Sequence, residues 1–239
     1  MSIYERTELM LGKAALEKLK NARVAVIGLG GVGGAAAEAL LRAGVGHLLF
    51  IDGDVVSDSN RNRQLLATEE TVGLDKVKAA ETRYKAINPD CDMTFMKEFY
   101  LPENSAFLYD WKPDYIVDAI DTVTAKLDIA LRAHELGIGL IMCLGTGNRL
   151  FPEMLKVGDI SETGGCGCPL ARVMRRELKK RGIEHQNVLY STEEPLKAIV
   201  PGEENGRHAP GSVSFVPPAA GYIIAGKCVR DIINGEMKP

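Results

Sequence analysis

The run Gly28-Leu29-Gly30-Gly31-Val32-Gly33 follows the apolar segment 23–27 and leads into the alanine-rich segment 35–42. A G-x-G-x-x-G turn between a strand and a helix is compatible with few folds. Without side chains at those positions, the backbone can close against the following helix and approach a phosphate. The next apolar run, 47–51, ends in Asp52. Together these segments predict a βαβ unit of about 30 residues with a carboxylate at the tip of its second strand. The helix start presents free N–H groups and a positive dipole end, and the carboxylate can accept bonds from ribose hydroxyls. The unit therefore binds a nucleotide, but the loop itself does not distinguish NAD from ATP.

The alternation continues along the chain. Helical spacing is expected over 8–22, 75–87 and 122–136, and strands over 93–97 and 115–117, with a further apolar run at 138–144. Strands separated by helices imply a parallel sheet covered on both faces. Beyond it come a strand at 154–157, a Gly/Cys turn, a helix from Leu170, a strand at 188–190, a loop at 201–211 with the composition of a mobile segment, and a helix from about Ala219. The predicted fold class is α/β: a Rossmann-like, doubly wound, mainly parallel sheet with an elaborated C-terminal half. The chain reads as one domain, 1–239, with a nucleotide-binding core at about 20–145 and a substrate and dimer elaboration at about 146–239.

A net charge of −3 argues against a wholesale nucleic-acid coat, though it leaves room for a local basic patch. Five cysteines without a regular framework, and a start that lacks the apolar core of a secretory signal, point to a reducing cytoplasm. The apolar stretch near the end is about twelve residues long, short of the ~20 that span a bilayer, so no membrane segment is expected.

Downstream motifs bear on the nucleotide. They are Asp52-Gly53-Asp54, then Ser59-Asn60-Arg61-Asn62-Arg63-Gln64, then Asp75-Lys76-Val77-Lys78, then Asp118-Ala119-Ile120-Asp121. In this order and spacing they resemble the adenylation domain shared by ubiquitin-activating enzymes and the bacterial activators of molybdopterin and thiamin sulfur carriers. Carried over residue by residue, the resemblance implies that Gly28, Gly30, Gly31 and Gly33 form the phosphate loop and Asp52 holds the ribose. Asn60, Arg63 and Lys76 would hold the β- and γ-phosphates, with Gln64 and Asp54 in the same site. Asp121 would coordinate Mg²⁺, and Asp54 would lie near that metal. The chemistry fits these residue types. Attack of a carboxylate on the α-phosphate builds charge on departing pyrophosphate, which Arg63 and Lys76 can neutralise, and needs neither a general base nor a covalent nucleophile.

Three features narrow the resemblance. Glu5-Arg6-Thr7-Glu8-Leu9-Met10-Leu11-Gly12 matches the superfamily's N-terminal R-x-x-L-x-G pattern, whose arginine in relatives reaches across a homodimer to the partner's ATP. This implies a catalytic role for Arg6. The second feature is an absence: no C-x-x-C pair occurs, so structural zinc is not expected. The third is the C-terminal half, where Pro169-Leu170-Ala171-Arg172, Gly211-Ser212-Val213-Ser214-Phe215 and Ala220-Gly221-Tyr222 resemble the tRNA threonylcarbamoyladenosine dehydratase family. Pro218 and the glycine-rich insertion at 164–167 depart from that family's pattern. The resemblance implies ATP-dependent activation of the threonyl carboxylate of a modified adenosine beside the tRNA anticodon, followed by ring closure with loss of AMP. It leaves open a sulfur-transfer helper protein and a bound monovalent cation.

On a helix over 170–181, Leu170, Val173, Met174 and Leu178 share one face, and Arg172, Arg175, Arg176 and Lys179 share the other. That basic face reads equally as a solvated surface and as a contact for RNA phosphates. Cys168, in Cys166-Gly167-Cys168, reads as structural before sulfur-handling. Cys143 reads as a buried strand residue, Cys91 and Cys228 as inert, and Trp111 as turn packing; the four histidines show no ligand spacing. Three other functions compete with the dehydratase. An adenylyltransferase for a ubiquitin-like sulfur carrier lacks its zinc pairs here, and an NAD-dependent oxidoreductase or a nucleotide sensor has no use for Arg63, Lys76 and Asp121 together.

Overall fold

A computed structural model describes residues 3–197 and 210–239. Most of the expected loop at 201–211, with His208, lies outside the described residues. The order is α1 (Glu5–Leu11), α2 (Lys13–Asn21), β1 (Arg23–Ile27), α3 (Gly31–Ala43), β2 (His47–Ile51), α4 (Lys76–Ile87), β3 (Asp92–Met96), α5 (Ala106–Asp110), β4 (Tyr115–Asp118), α6 (Val123–Leu136), β5 (Gly139–Cys143), β6 (Leu155–Asp159), α7 (Pro169–Lys180), β7 (Asn187–Ser191) and α8 (Val216–Asn234), with short 3-10 turns between. The strands form one sheet in the order β3-β2-β1-β4-β5-β7-β6. All neighbours are parallel except β6, which runs antiparallel to β7.

Period-two alternation divides the strand side chains between two cores. Val24, Val26, Leu48, Phe50 and Val117 face one way, beneath α3, α4 and α8. Ala25, Ile27, Leu49, Ile51 and Ile116 face the other way, beneath α6 and α7. The C-terminal half thus extends both layers: β7 and β6 lengthen the sheet, and α8 lays Ala220, Ile224 and Cys228 into the first core.

Two expected boundaries shift for local reasons. The helix expected over 8–22 is two helices, because Gly12 takes φ +81, which an L side chain rarely adopts. Leu9, placed by periodicity on the apolar face, is consequently 85% exposed. The last helix starts at Val216, ahead of Ala219, because Pro217 and Pro218 sit in its first turn, where a missing N–H breaks no helical bond. Trp111 packs as a turn residue, with the Arg23 guanidinium 4.2 Å from its ring centre.

Candidate active site

The carboxyl ends of β1, β2, β4 and β5 open onto a cleft of about 560 Å³. It lies where the strand order reverses, between β1 and β4, the position at which open α/β sheets hold ligands. Gly28, Gly30, Asp52, Asp54, Lys76 and Asp121 all line it. A larger cavity of about 850 Å³ lies by the starts of β2 and β3, lined by Tyr4, Glu8, Gly46, His47 and Asp92. The glycine loop does not reach that cavity, so chemistry rather than size selects the smaller one.

The loop is built to stay open. Gly28 turns at φ +88 and donates its N–H to Ile51 O at 2.8 Å. A Cβ on Gly33 would stand 1.7 Å from Gly28 O, so only glycine lets α3 approach this closely. Gly30 caps α3 without a side-chain bond, leaving the first-turn N–H groups uncapped beside the cleft. Asp52 is buried and fixed by two amides: Leu29 donates to Oδ2 at 2.6 Å and Asp54 to Oδ1 at 2.8 Å. Each carboxylate oxygen keeps further acceptor capacity, and Asp52 lines the cleft. Lys76 opens α4 and donates to Asp54 Oδ2 at 2.7 Å, with Asp52 Oδ2 at 3.6 Å. Asp121 is exposed on the cleft wall and makes no hydrogen bond or ion pair with the described residues. It does not cap α6, whose N-cap is Thr122.

The other candidates lie outside the lining. Asn60 Oδ1 accepts the Ser57 N–H at 3.2 Å, tying a turn together. Arg63 folds back to donate to Ser59 O at 3.0 Å and Asn62 Oδ1 at 2.8 Å, while its stem lies against Gly31. Gln64 is buried near Gly30, with its Oε1 lacking a partner among the described residues. This turn therefore backs the phosphate loop without entering the cleft. Arg6 is exposed on α1, near the cavity at the opposite edge of the sheet.

Sequence reasoning did not single out Phe99, Tyr100 and Thr146, which also line the cleft. It also missed a buried ion pair: Lys126 Nζ lies 2.9 Å from Asp118 Oδ2, both side chains at 0% exposure. Lys126 also donates to Ile120 O at 3.1 Å, and Asp118 Oδ1 accepts the Ile120 N–H at 3.2 Å. Burial pushes the Asp118 carboxyl above its ordinary range, with Lys126 opposing. The pair sets the 118–121 turn that presents Asp121. The signal was present in helical spacing, since Lys126 shares a stripe with the apolar Ile129, Ala130 and Ala133.

The thiols near the cleft are quiet. Burial pushes Cys143 up to about 12, leaving no thiolate at neutral pH. Cys168 Sγ accepts the Ala171 N–H at 3.4 Å and so caps α7. Among the described residues, no group of three or more His, Cys, Asp or Glu stands together as a metal site.

The ThiF family model matches residues 4–226. The tRNA threonylcarbamoyladenosine dehydratase of Bacillus subtilis is 40% identical, over 97% of this chain and 94% of that protein. The E. coli tRNA N6-threonylcarbamoyladenosine dehydratase, TcdA, solved in complex with ATP, superposes with a TM-score of 0.87 at 30% identity, covering 98% of this chain and 94% of that one. The sulfur carrier protein ThiS adenylyltransferase of B. subtilis is 35% identical over a shorter span, 72% of this chain and 54% of that protein. Glycine loop, carboxylate-lined cleft and near full-length correspondence agree: the chain belongs to the ThiF family, and within it to the tRNA threonylcarbamoyladenosine dehydratases.

Proposed function

We propose that this protein uses ATP to dehydrate threonylcarbamoyladenosine in tRNA, activating the threonyl carboxylate as an acyl adenylate and closing the ring with loss of AMP. The observation that carries this reading is the reach of the dehydratase likeness, 97% of the chain, against 72% for the sulfur-carrier activator. In the first step a carboxylate oxygen bonds to the α-phosphorus and pyrophosphate leaves. In the second, an internal nucleophile of the carbamoyl group attacks the activated carbonyl. AMP then departs with the oxygen that the carboxylate loses, so the net change is removal of water.

The ionised carboxylate needs no base, so catalysis falls to positioning and charge neutralisation. The glycine loop and the uncapped end of α3 hold phosphate, Asp52 holds the ribose, and Lys76 leaves Asp54 to meet the phosphates. The described lining, however, carries Asp52, Asp54, Glu98 and Asp121 against the single cation Lys76. A triphosphate there requires more positive charge. Mg²⁺ is one source. The donor set suits it, because Mg²⁺ takes one or two carboxylates and completes its shell with phosphate oxygens and water, and Asp121 is a carboxylate on the wall with no partner among the described residues. Bound there, it would withdraw charge from the phosphates. Arg63 is a second source, released from its own turn. Arg6 is the third: α1 sits at the far edge of the sheet, so in this reading Arg6 would reach the cleft of a second copy in a homodimer. The chain acts as one domain, in the cytoplasm, where its ATP and tRNA are found.

The test is to incubate the purified protein with ATP, Mg²⁺ and tRNA bearing the modified adenosine, then digest and weigh the nucleosides. A nucleoside lighter by one water, formed with equimolar AMP, supports the reading. An unchanged nucleoside, with adenylation of a sulfur carrier instead, overturns it.

A further inference from the structure

We infer that the outer face of α7 is the docking surface for the phosphate backbone of the RNA whose modified base enters the cleft, an inference that rests on the proposed reaction. α7 buries Ala171, Met174 and Leu178. Its opposite stripe, spaced i, i+3, i+4, i+7, is Arg172, Arg175, Arg176 and Lys179. These four line a groove of about 540 Å³, together with His185 and a single acid, Glu184. Between residues 172 and 181 the chain places six cations and one anion, in a protein of net charge −3. The positive charge is therefore concentrated on this face, against the sign of the whole.

Most of this charge is left unneutralised. The side chains of Arg172 and Lys179 make no ion pair or hydrogen bond with the described residues. Arg175 is held in place by donating to Thr163 Oγ1 at 2.8 Å, which fixes one guanidinium without neutralising it. Glu177 is shared among Arg176, Lys180 and Arg181, so it offsets one charge of three.

Position supplies the link to the site. Leu170, in the first turn of α7, lines the nucleotide cleft. From there to Lys179 the helix advances about 14 Å, so the row of cations leads away from the cleft mouth. An RNA with one base turned into the cleft has its flanking phosphates beside that row, where Arg and Lys bind backbone and set register without reading sequence. The face carries no exposed large apolar side chain, which a membrane-lying helix would need.

The experiment uses the full chain and a fluorescent anticodon stem-loop RNA carrying the modified adenosine, with binding followed by anisotropy across a salt series. Arg172→Gln/Lys179→Gln is compared with Lys13→Gln/Lys20→Gln, which removes equal charge from α2. A slope of about 0.7 per phosphate contact predicts that the α7 variant's salt slope falls by about 1.4 and its affinity at 0.15 M salt by roughly tenfold. KM for RNA should rise with kcat at saturating RNA unchanged. Wild-type slope and affinity in the α7 variant would overturn the inference, as would an equal loss in the α2 control. Loss of polyglutamate binding with RNA binding intact would overturn it in favour of an acidic protein partner. Wild-type dehydration is measured in parallel, so failure of the reaction and failure of the docking surface are read separately.

Discussion

Replacing Lys126 with methionine should reveal what holds the 118–121 turn. The side chain keeps its length but loses the ammonium that lies 2.9 Å from Asp118 Oδ2 at full burial. Asp118 is then left with the Ile120 N–H at 3.2 Å as its remaining partner. Breaking a buried pair by removing one partner costs about 3–5 kcal/mol. An independent limit agrees, because the stranded carboxylate escapes its burial by taking a proton. Against an unfolded pKa of about 3.9, that proton costs about 4 kcal/mol at pH 7, at 1.36 kcal/mol per unit. For a chain of this size the melting temperature should fall by about 10 °C.

The sign of the pH dependence follows. In the variant the folded pKa of Asp118 lies above the unfolded value, so stability is fully present at low pH and is lost as pH rises. Without Lys126 to oppose burial, Asp118 is raised further than in the wild type, so the deficit should shrink between pH 7 and pH 5. Asp118→Asn/Lys126→Met removes the stranded charge and should recover much of the loss. Urea unfolding at both pH values is the assay. A deficit under about 1 kcal/mol at pH 7, or one equal at pH 5 and pH 7, would refute the argument and leave only lost packing.

Asp121→Asn keeps size and hydrogen bonding but removes the charge proposed to hold Mg²⁺. Adenylation should drop on the order of 10²-fold while ATP affinity, read by calorimetry, falls modestly; a near-normal rate defeats the assignment. Mixing Arg6→Ala with Asp121→Ala subunits should restore activity through one intact hybrid site, and no recovery on exchange counts against a shared arginine. Burial raises the Glu38 carboxyl, but hydrogen bonds from Arg83 and Arg42 outweigh it and hold the carboxyl below the usual range. Its stabilisation is present above the unfolded value of about 4.3 and lost as pH falls through the folded one. The stability gap between wild type and Glu38→Gln should thus be largest near neutral pH and close in acid; a pH-independent gap would contradict the pairing.

The strands and helices of the first half were legible because each core face repeats with its own period, and the glycine loop marked where the first strand ends. Periodicity did not reveal the break at Gly12, because Leu9 keeps helical spacing with Leu16 on either side of it. Asp52 was readable from the glycine loop and the strand after it, and Asp54, Lys76 and Asp121 from motifs that resemble the adenylation domain; the sheet gathers all four at one cleft. Asn60, Arg63 and Gln64 were read from the same pattern, yet their side chains are tied to their own turn and to the back of the loop. No spacing argument reports a side-chain rotamer. Lys126 was overlooked because a lysine in a helix is ordinarily solvated, and only its fully buried aspartate partner explains its place in the core.

The central claim, that the substrate carboxylate attacks the α-phosphorus of ATP, is tested most directly by labelling that carboxylate with ¹⁸O in the modified tRNA and following the label by mass spectrometry through one turnover. The account predicts one ¹⁸O in the phosphate of AMP for each nucleoside dehydrated, with none in pyrophosphate. Label appearing in inorganic phosphate with ADP, or in water with AMP unlabelled, would contradict it.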